Sequence, residues 1–303
     1  MCLTGWGSPV YYSPADCHSR GHTRVGGGNP GKHKQFERRK NMIQALNYNK
    51  IKENIIKSRD NTEANLRKQL AYLYRIFDYY DWCDLIVTHL SVRVPNEDAL
   101  LIVPFGASFD EVTPDNLIKV DFAGNVLESR AGFQINKNGT TVHRAIYKNL
   151  PHVNSILHTH SLYGTALSNL DVDLIMLDQI SMMFHNKIGY HDFEKLFIKD
   201  DEQMSLIKDL EGKNSVILKN HGLITVGSSI VEAFWFHNYL EKSCKLQMLT
   251  MSAGQKIKYP SAQTVDETAS KYELWRNKND HIEVSDSELL FDAAKRKVGY
   301  IFD

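Results

Sequence analysis

The run Ile156-Leu157-His158-Thr159-His160 puts two imidazoles two residues apart at the end of an apolar stretch. In an extended strand the side chains at i and i+2 share a face, so both rings point the same way at roughly 7 Å, a spacing that suits two ligands on one divalent ion. On its own the pair also fits polar residues on a solvated strand face. A third histidine, His221, follows the apolar run Val216-Ile217-Leu218 and precedes Gly222, in the kind of loop where site residues gather. Two strands ending side by side would close a three-histidine site. Three imidazoles suit Zn²⁺, Fe²⁺, Co²⁺ or Mn²⁺ and leave positions open for water or substrate.

The chain holds thirteen histidines, so the others must be weighed too. His143 lies on a predicted helix and reads as a hydrogen-bonded structural residue. His191, next to Asp192, could orient a ligand from behind, where a carboxylate commonly accepts the second ring proton. His89 has a ring able to titrate near neutrality.

The elements that must carry these residues follow from periodicity. From Thr62, Leu66, Leu70, Leu73, Tyr74 and Phe77 recur at three- and four-residue steps, one apolar helical stripe. Short apolar runs at 85–94, 100–104 and 117–122 predict strands, and Ala123-Gly124-Asn125 predicts a hairpin into Val126-Leu127. Helix and strand then alternate: helix 141–149, strand 153–160, helix 163–170, short strand 174–177, helix 202–210, strands 215–219 and 223–226, and a long helix 230–251. Residues 255–303 predict peripheral helices. No repeat or linker divides 62–254, which is expected to be one α/β domain.

Residues 1–42 differ in composition. Seven basic residues against Asp16 and Glu37 leave the segment about +5, and seven of the eighteen glycines fall in it with few aliphatics, so it is expected to be disordered. Gly26-Gly27-Gly28 is no phosphate loop, because no strand precedes it and no G-K-[ST] follows. Globular composition starts at Met42, which is thereby a candidate translation start, to be checked by the N-terminal mass of the native protein.

Thirty-six basic side chains balance thirty-six acidic ones over 303 residues, so no global field favours nucleic acid or an anionic membrane. No run approaches the roughly 20 apolar residues of a bilayer span, and no secretory leader pattern opens the chain. Cys2, Cys17, Cys83 and Cys244 lack metal-ligand spacing and are too few to staple the chain, so free thiols and a cytoplasmic location are expected.

Five segments in order, Thr88–Arg93, Val103–Thr113, Asn136–Tyr147, Ile156–His160 and Leu218–Gly227, make residues 64–254 resemble the class II aldolase/adducin family. The resemblance implies a three-layer α/β/α domain with a central, largely antiparallel sheet, and a homotetramer. It implies that His158, His160 and His221 hold a catalytic metal, zinc in the aldolases. Sugar-phosphate aldolases of the family carry a glutamate, ligand and acid/base, where this chain has Gly139. Their phosphate-binding polar groups are replaced here by His89, Phe105, Lys137 and Asn138. Asn138–His143, Gly189–Phe193 and Val231–Phe234 look like the adducin-type branch, which includes cytoskeletal head domains as well as bacterial aldolase-like proteins.

Two functions are compatible with these residues. One is a metal-dependent lyase acting on a small hydroxy-carbonyl substrate, with His89 or Tyr190 as acid/base; a decarboxylase, epimerase or oxygenase could use the same ligands. The other is an adducin-like self-associating structural or cytoskeletal module with a vestigial metal site.

Overall fold

The computed structural model describes residues 48–130, 132–193, 200–278 and 283–302. The expectations for 1–42, with Cys2 and Cys17, lie outside the described residues.

Two helices precede the sheet, α1 (Tyr48–Lys57) and α2 (Glu63–Tyr79). α2 starts where Thr62 Oγ1 accepts from the Asn65 N–H at 3.4 Å, and its stripe Leu66, Leu70, Leu73, Tyr74 and Phe77 is buried. The Tyr74 hydroxyl accepts from the N–H groups of Leu90 at 3.0 Å and Val103 at 3.1 Å. One phenol thereby ties α2 to two strands.

The sheet has eight strands: β1 (His89–Arg93), β2 (Ala99–Ile102), β3 (Ile118–Asp121), β4 (Val126–Glu128), β5 (Ser155–Thr159), β6 (Ile188–His191), β7 (Ser215–Leu218) and β8 (Gly222–Gly227). Their order is β4-β3-β2-β1-β5-β8-β7-β6, antiparallel throughout except for the parallel pair β6–β7. Helices α3 (Lys137–Asn149), α4 (Leu162–Ser168), α5 (Asp200–Leu210), α6 (Ile230–Ser252), α7 (Ala262–Lys278) and α8 (Asp286–Val298) complete the fold. It is a three-layer α/β/α arrangement. One sheet face carries Ser91, whose hydroxyl meets His143 and Tyr147 of α3, and α5 packs beside α3 over β6 and β7. The opposite face carries Thr159 and Thr225, which meet His237 of α6.

Residues 85–88 form a turn ahead of β1, with Leu85 at a left-handed φ of 45°, and not the start of the strand expected over 85–94. Two further segments depart from the periodicity reading. Residues 174–177 are not a strand: the Leu174 N–H donates to the Tyr190 hydroxyl at 2.9 Å and the Ile175 N–H to Gln247 Oε1 at 2.7 Å, so side chains take the place of a ladder. Residues 188–191 are one, although Gly189 weakens their strand signal. A Cβ on Gly189 would lie 2.2 Å from the Asp209 carbonyl oxygen, so glycine is what lets α5 close onto β6.

Candidate metal centre

His89 and His158 are register partners on β1 and β5, and Ile224 of β8 pairs with His158 on its other side. The chain ends of β5, β6 and β7 and the starts of β1 and β8 therefore lie along one edge of the sheet, and the histidines gather there. His221 is brought in by the tight β7–β8 turn, where Asn220 takes a left-handed φ of 56°. A Cβ on Gly222 would stand 2.2 Å from the Thr159 carbonyl oxygen. Only glycine lets this hairpin pass so close to β5.

His158, His160 and His221 each offer one ring nitrogen, and the three atoms lie within 4.8 Å of one another. Hydrogen bonding sets the tautomers of two of them. His158 Nδ1–H donates to the Leu223 carbonyl at 3.0 Å, and His160 Nδ1–H donates to Asp84 Oδ2 at 3.1 Å. Both partners are pure acceptors, so in the neutral rings both Nε2 atoms are bare lone pairs, and these face each other at 3.1 Å. Two acceptors at that distance repel unless a cation lies between them. This donor set therefore fits a divalent ion, and the Asp84–His160 pair is the carboxylate support that such ligands use. Burial pushes His158 well below the usual histidine range and holds His221 at about 4, with neighbouring rings adding to both shifts. Neutral rings are what ligation needs.

His89 stands beside the three, with ring centroids 4.9 Å from His158. Its Nδ1 is 2.9 Å from His143 Nε2; His143 Nδ1 is 2.5 Å from Ser91 Oγ, which is 2.8 Å from the Tyr147 hydroxyl. The chain of bonds has one consistent polarity. Tyr147 O–H donates to Ser91, Ser91 O–H to His143 Nδ1 and His143 Nε2–H to His89 Nδ1; the reverse order would leave the buried phenol proton without an acceptor. Burial raises the Tyr147 pKa and pulls His143 down to about 3, so the phenol keeps its proton and the imidazole stays neutral. His89 is consequently left with its proton on Nε2. That atom occupies the volume over Gly139: a Cβ there would lie 2.1 Å from it. Gly139 opens α3, where Asn136 Oδ1 accepts the Gly139 N–H at 3.2 Å.

These groups line a cavity of about 320 Å³ between the sheet edge, α3 and α5. His191 lines it as well, its Nδ1–H donating to Asp209 Oδ2 at 2.8 Å. The structure does not bring Tyr190 there. On β6 its side chain alternates with that of His191, packs in the apolar cluster around Phe184 and Leu174, and is pushed up to about 12 by burial. His143, which reads from sequence as structural, forms the second link behind His89. Asp84 and Asp209 are support carboxylates that no motif marks: Asp84 lies 76 residues from His160 in sequence.

The profile of the Class II Aldolase and Adducin N-terminal domain matches residues 68–248. A Pseudomonas aeruginosa protein named for class 2 aldolases is 36% identical over 195 residues, 64% of this chain and 75% of that protein. Alpha-adducin of Rattus norvegicus is 34% identical over 198 residues, and the match spans only 27% of its length. Among solved structures, an aldolase II superfamily protein from Pseudomonas syringae has a TM-score of 0.73 at 32% identity, covering 78% of this chain and 93% of that one. An L-fuculose 1-phosphate aldolase from Glaciozyma antarctica has a TM-score of 0.65 at 30% identity, covering 78% and 88%. With its profile, its antiparallel-sheet fold and its histidine cluster all in agreement, the chain belongs to the class II aldolase and adducin family.

Proposed function

We propose that the protein is a divalent-metal-dependent lyase acting on a small hydroxy-carbonyl substrate, with His158, His160 and His221 as ligands and zinc as the preferred ion. The observation that carries this reading is the pair of bare Nε2 atoms 3.1 Å apart with His221 beside them. When bound, such an ion supplies Lewis-acid polarisation of a carbonyl and its neighbouring hydroxyl. The remaining work falls to the chain. His89 stays neutral, because burial and the neighbouring rings hold it well below the usual histidine range, against the expectation of titration near neutrality. It presents Nε2–H to the cleft as a hydrogen-bond donor to substrate oxygen, while His143, Ser91 and Tyr147 hold its tautomer. Gly139 supplies no carboxylate and Phe105 no hydroxyl, so fuculose- or ribulose-phosphate turnover near the ~10 per second of ordinary enzymes is not expected. A homotetramer in the cytoplasm, with Cys83 and Cys244 as free thiols, belongs to the same reading.

Metal analysis of tag-free protein tests it. About one equivalent per chain is expected, with sharp loss in each of His158→Ala, His160→Ala and His221→Ala. Full occupancy in all three variants would overturn the assignment. Gly139 favours a second reading, an adducin-like self-associating module with a vestigial metal site. In that case self-association survives metal removal, and the metal-loaded chain turns over no hydroxy-carbonyl compound.

A further inference from the structure

The cavity changes character along its length. At the sheet edge it is lined by the histidines with Asn136 and Asn138. Further in, its walls are Val142, Ala145 and Ile146 of α3, Leu206 and Ile207 of α5, and Ile224 on the sheet floor. Each of these six is at most 8% exposed. On α3 the positions 139, 142, 145 and 146 follow helical spacing, so one inward stripe of small residues, Gly139 and Ala145, alternates with larger ones. The small residues keep that wall shallow, and space persists where a core of this composition would otherwise close.

Beyond the sheet edge the polar lining residues are Gln203, on the same α5 stripe as Leu206 and Ile207, with Asp192 and Lys219. Lys219 lines the cavity, but its ammonium is held by Asp192 Oδ1 at 2.6 Å, and no arginine is among the described lining residues. An apolar wall beside a void forfeits dispersion contacts that only a non-polar occupant restores.

We infer that the substrate carries a hydrocarbon substituent of a few carbons next to its chelating oxygen pair, and that this substituent lies between α3 and α5 against Val142, Ala145, Leu206 and Ile207. The inference rests on the metal-centred reading above and adds to it the class of substrate: a 2-oxo or 2-hydroxy compound with an aliphatic arm and no phosphate ester.

The test uses the zinc-loaded full chain and calorimetric binding of pyruvate, 2-oxobutanoate, 2-oxopentanoate and 4-methyl-2-oxopentanoate, with glycolate and phosphoglycolate as a polar pair. Kd should fall about three- to fourfold for each added methylene, as expected for full burial of a CH₂, and phosphoglycolate should bind no tighter than glycolate. Ala145→Leu should abolish the gain beyond the first methylene, and Leu206→Ala should extend it to longer arms. If Ala145→Leu fails to fold, Leu206→Ala carries the same test. Zinc-dependent binding that is flat in chain length, or phosphoglycolate tighter than glycolate by tenfold, overturns this inference and leaves the metal site standing. Oxo acids binding His158→Ala as tightly as the parent chain would instead overturn the metal-centred reading, and this inference with it.

Discussion

Gly139 and His89 compete for one volume. A methyl at 139 would sit 2.1 Å from His89 Nε2 and 2.4 Å from Cδ2, with the ring held from behind by His143. Gly139→Ala should therefore destabilise the fold by about 1–3 kcal/mol, the range for overpacking, and His89→Ala in the same chain should recover most of that loss. Urea denaturation of the three variants measures it; additive losses would show that the two side chains do not meet. A second residue acts through its charge. Asp84→Ala removes the acceptor for His160 Nδ1–H, and zinc affinity should fall roughly 10- to 100-fold with the fold intact, read by competition with a chelator. The clustering of His158, His160 and His221 is legible from sequence because His158 and His160 share a face by strand periodicity. Asp84 is not, since nothing local marks a carboxylate 76 residues from its partner. The placement of Tyr190 is not legible either, since Gly189 weakens the strand signal of 188–191 and strand alternation is what turns its side chain from the cleft into the cluster around Phe184.

At the scale of elements, α6 is fastened to the His158-bearing end of β5 by a buried polar cluster. Ser161, just past His160, donates its hydroxyl to Glu241 Oε1; His237 is held between Thr159 at 3.3 Å and Thr225 at 3.1 Å. Burial raises the Glu241 carboxyl to about 7, so the folded protein takes up a proton that the unfolded chain, titrating near 4.5, does not hold. The sign follows: the contribution is full below about pH 4.5 and is lost as pH rises to about 7. Relative to Glu241→Gln, the parent chain should lose on the order of 3 kcal/mol across that window, read as the difference in urea unfolding free energy at pH 5, 6, 7 and 8. A flat difference would remove the buried titration. The α2 stripe and the β7–β8 hairpin are legible because each contains its own period and turn residues. Strand β6 is not, since Gly189 weakens its own pattern and pairing with β7 stabilises it.

For the whole molecule, acid should be the weak side. His143 and His237, fully buried, are both pulled down to about 3 by burial, whereas in the unfolded chain they titrate near 6.5. Depressed histidines contribute stability that is present above about pH 6.5 and lost as pH falls towards 3. Each costs up to about 1.4 kcal/mol per pH unit. Glu241 runs in the opposite direction between about 4.5 and 7, so the Glu241→Gln chain should show the steeper acid loss of the two by about one proton. Chevron or equilibrium unfolding from pH 4.5 to 7 checks this, and equal slopes would contradict it.

The shared volume over Gly139 also constrains how such a site can be reached by single replacements. A chain with any side chain at 139 has no room for the ring of His89 in its present pose, whereas a chain with glycine there accepts either a small residue or histidine at 89. The two positions are therefore coupled: His89 in its present pose requires glycine at 139. A glutamate placed at 139 meets an occupied space until position 89 is emptied, so a carboxylate enters this site only through two changes, the first of which removes the imidazole and supplies no carboxylate.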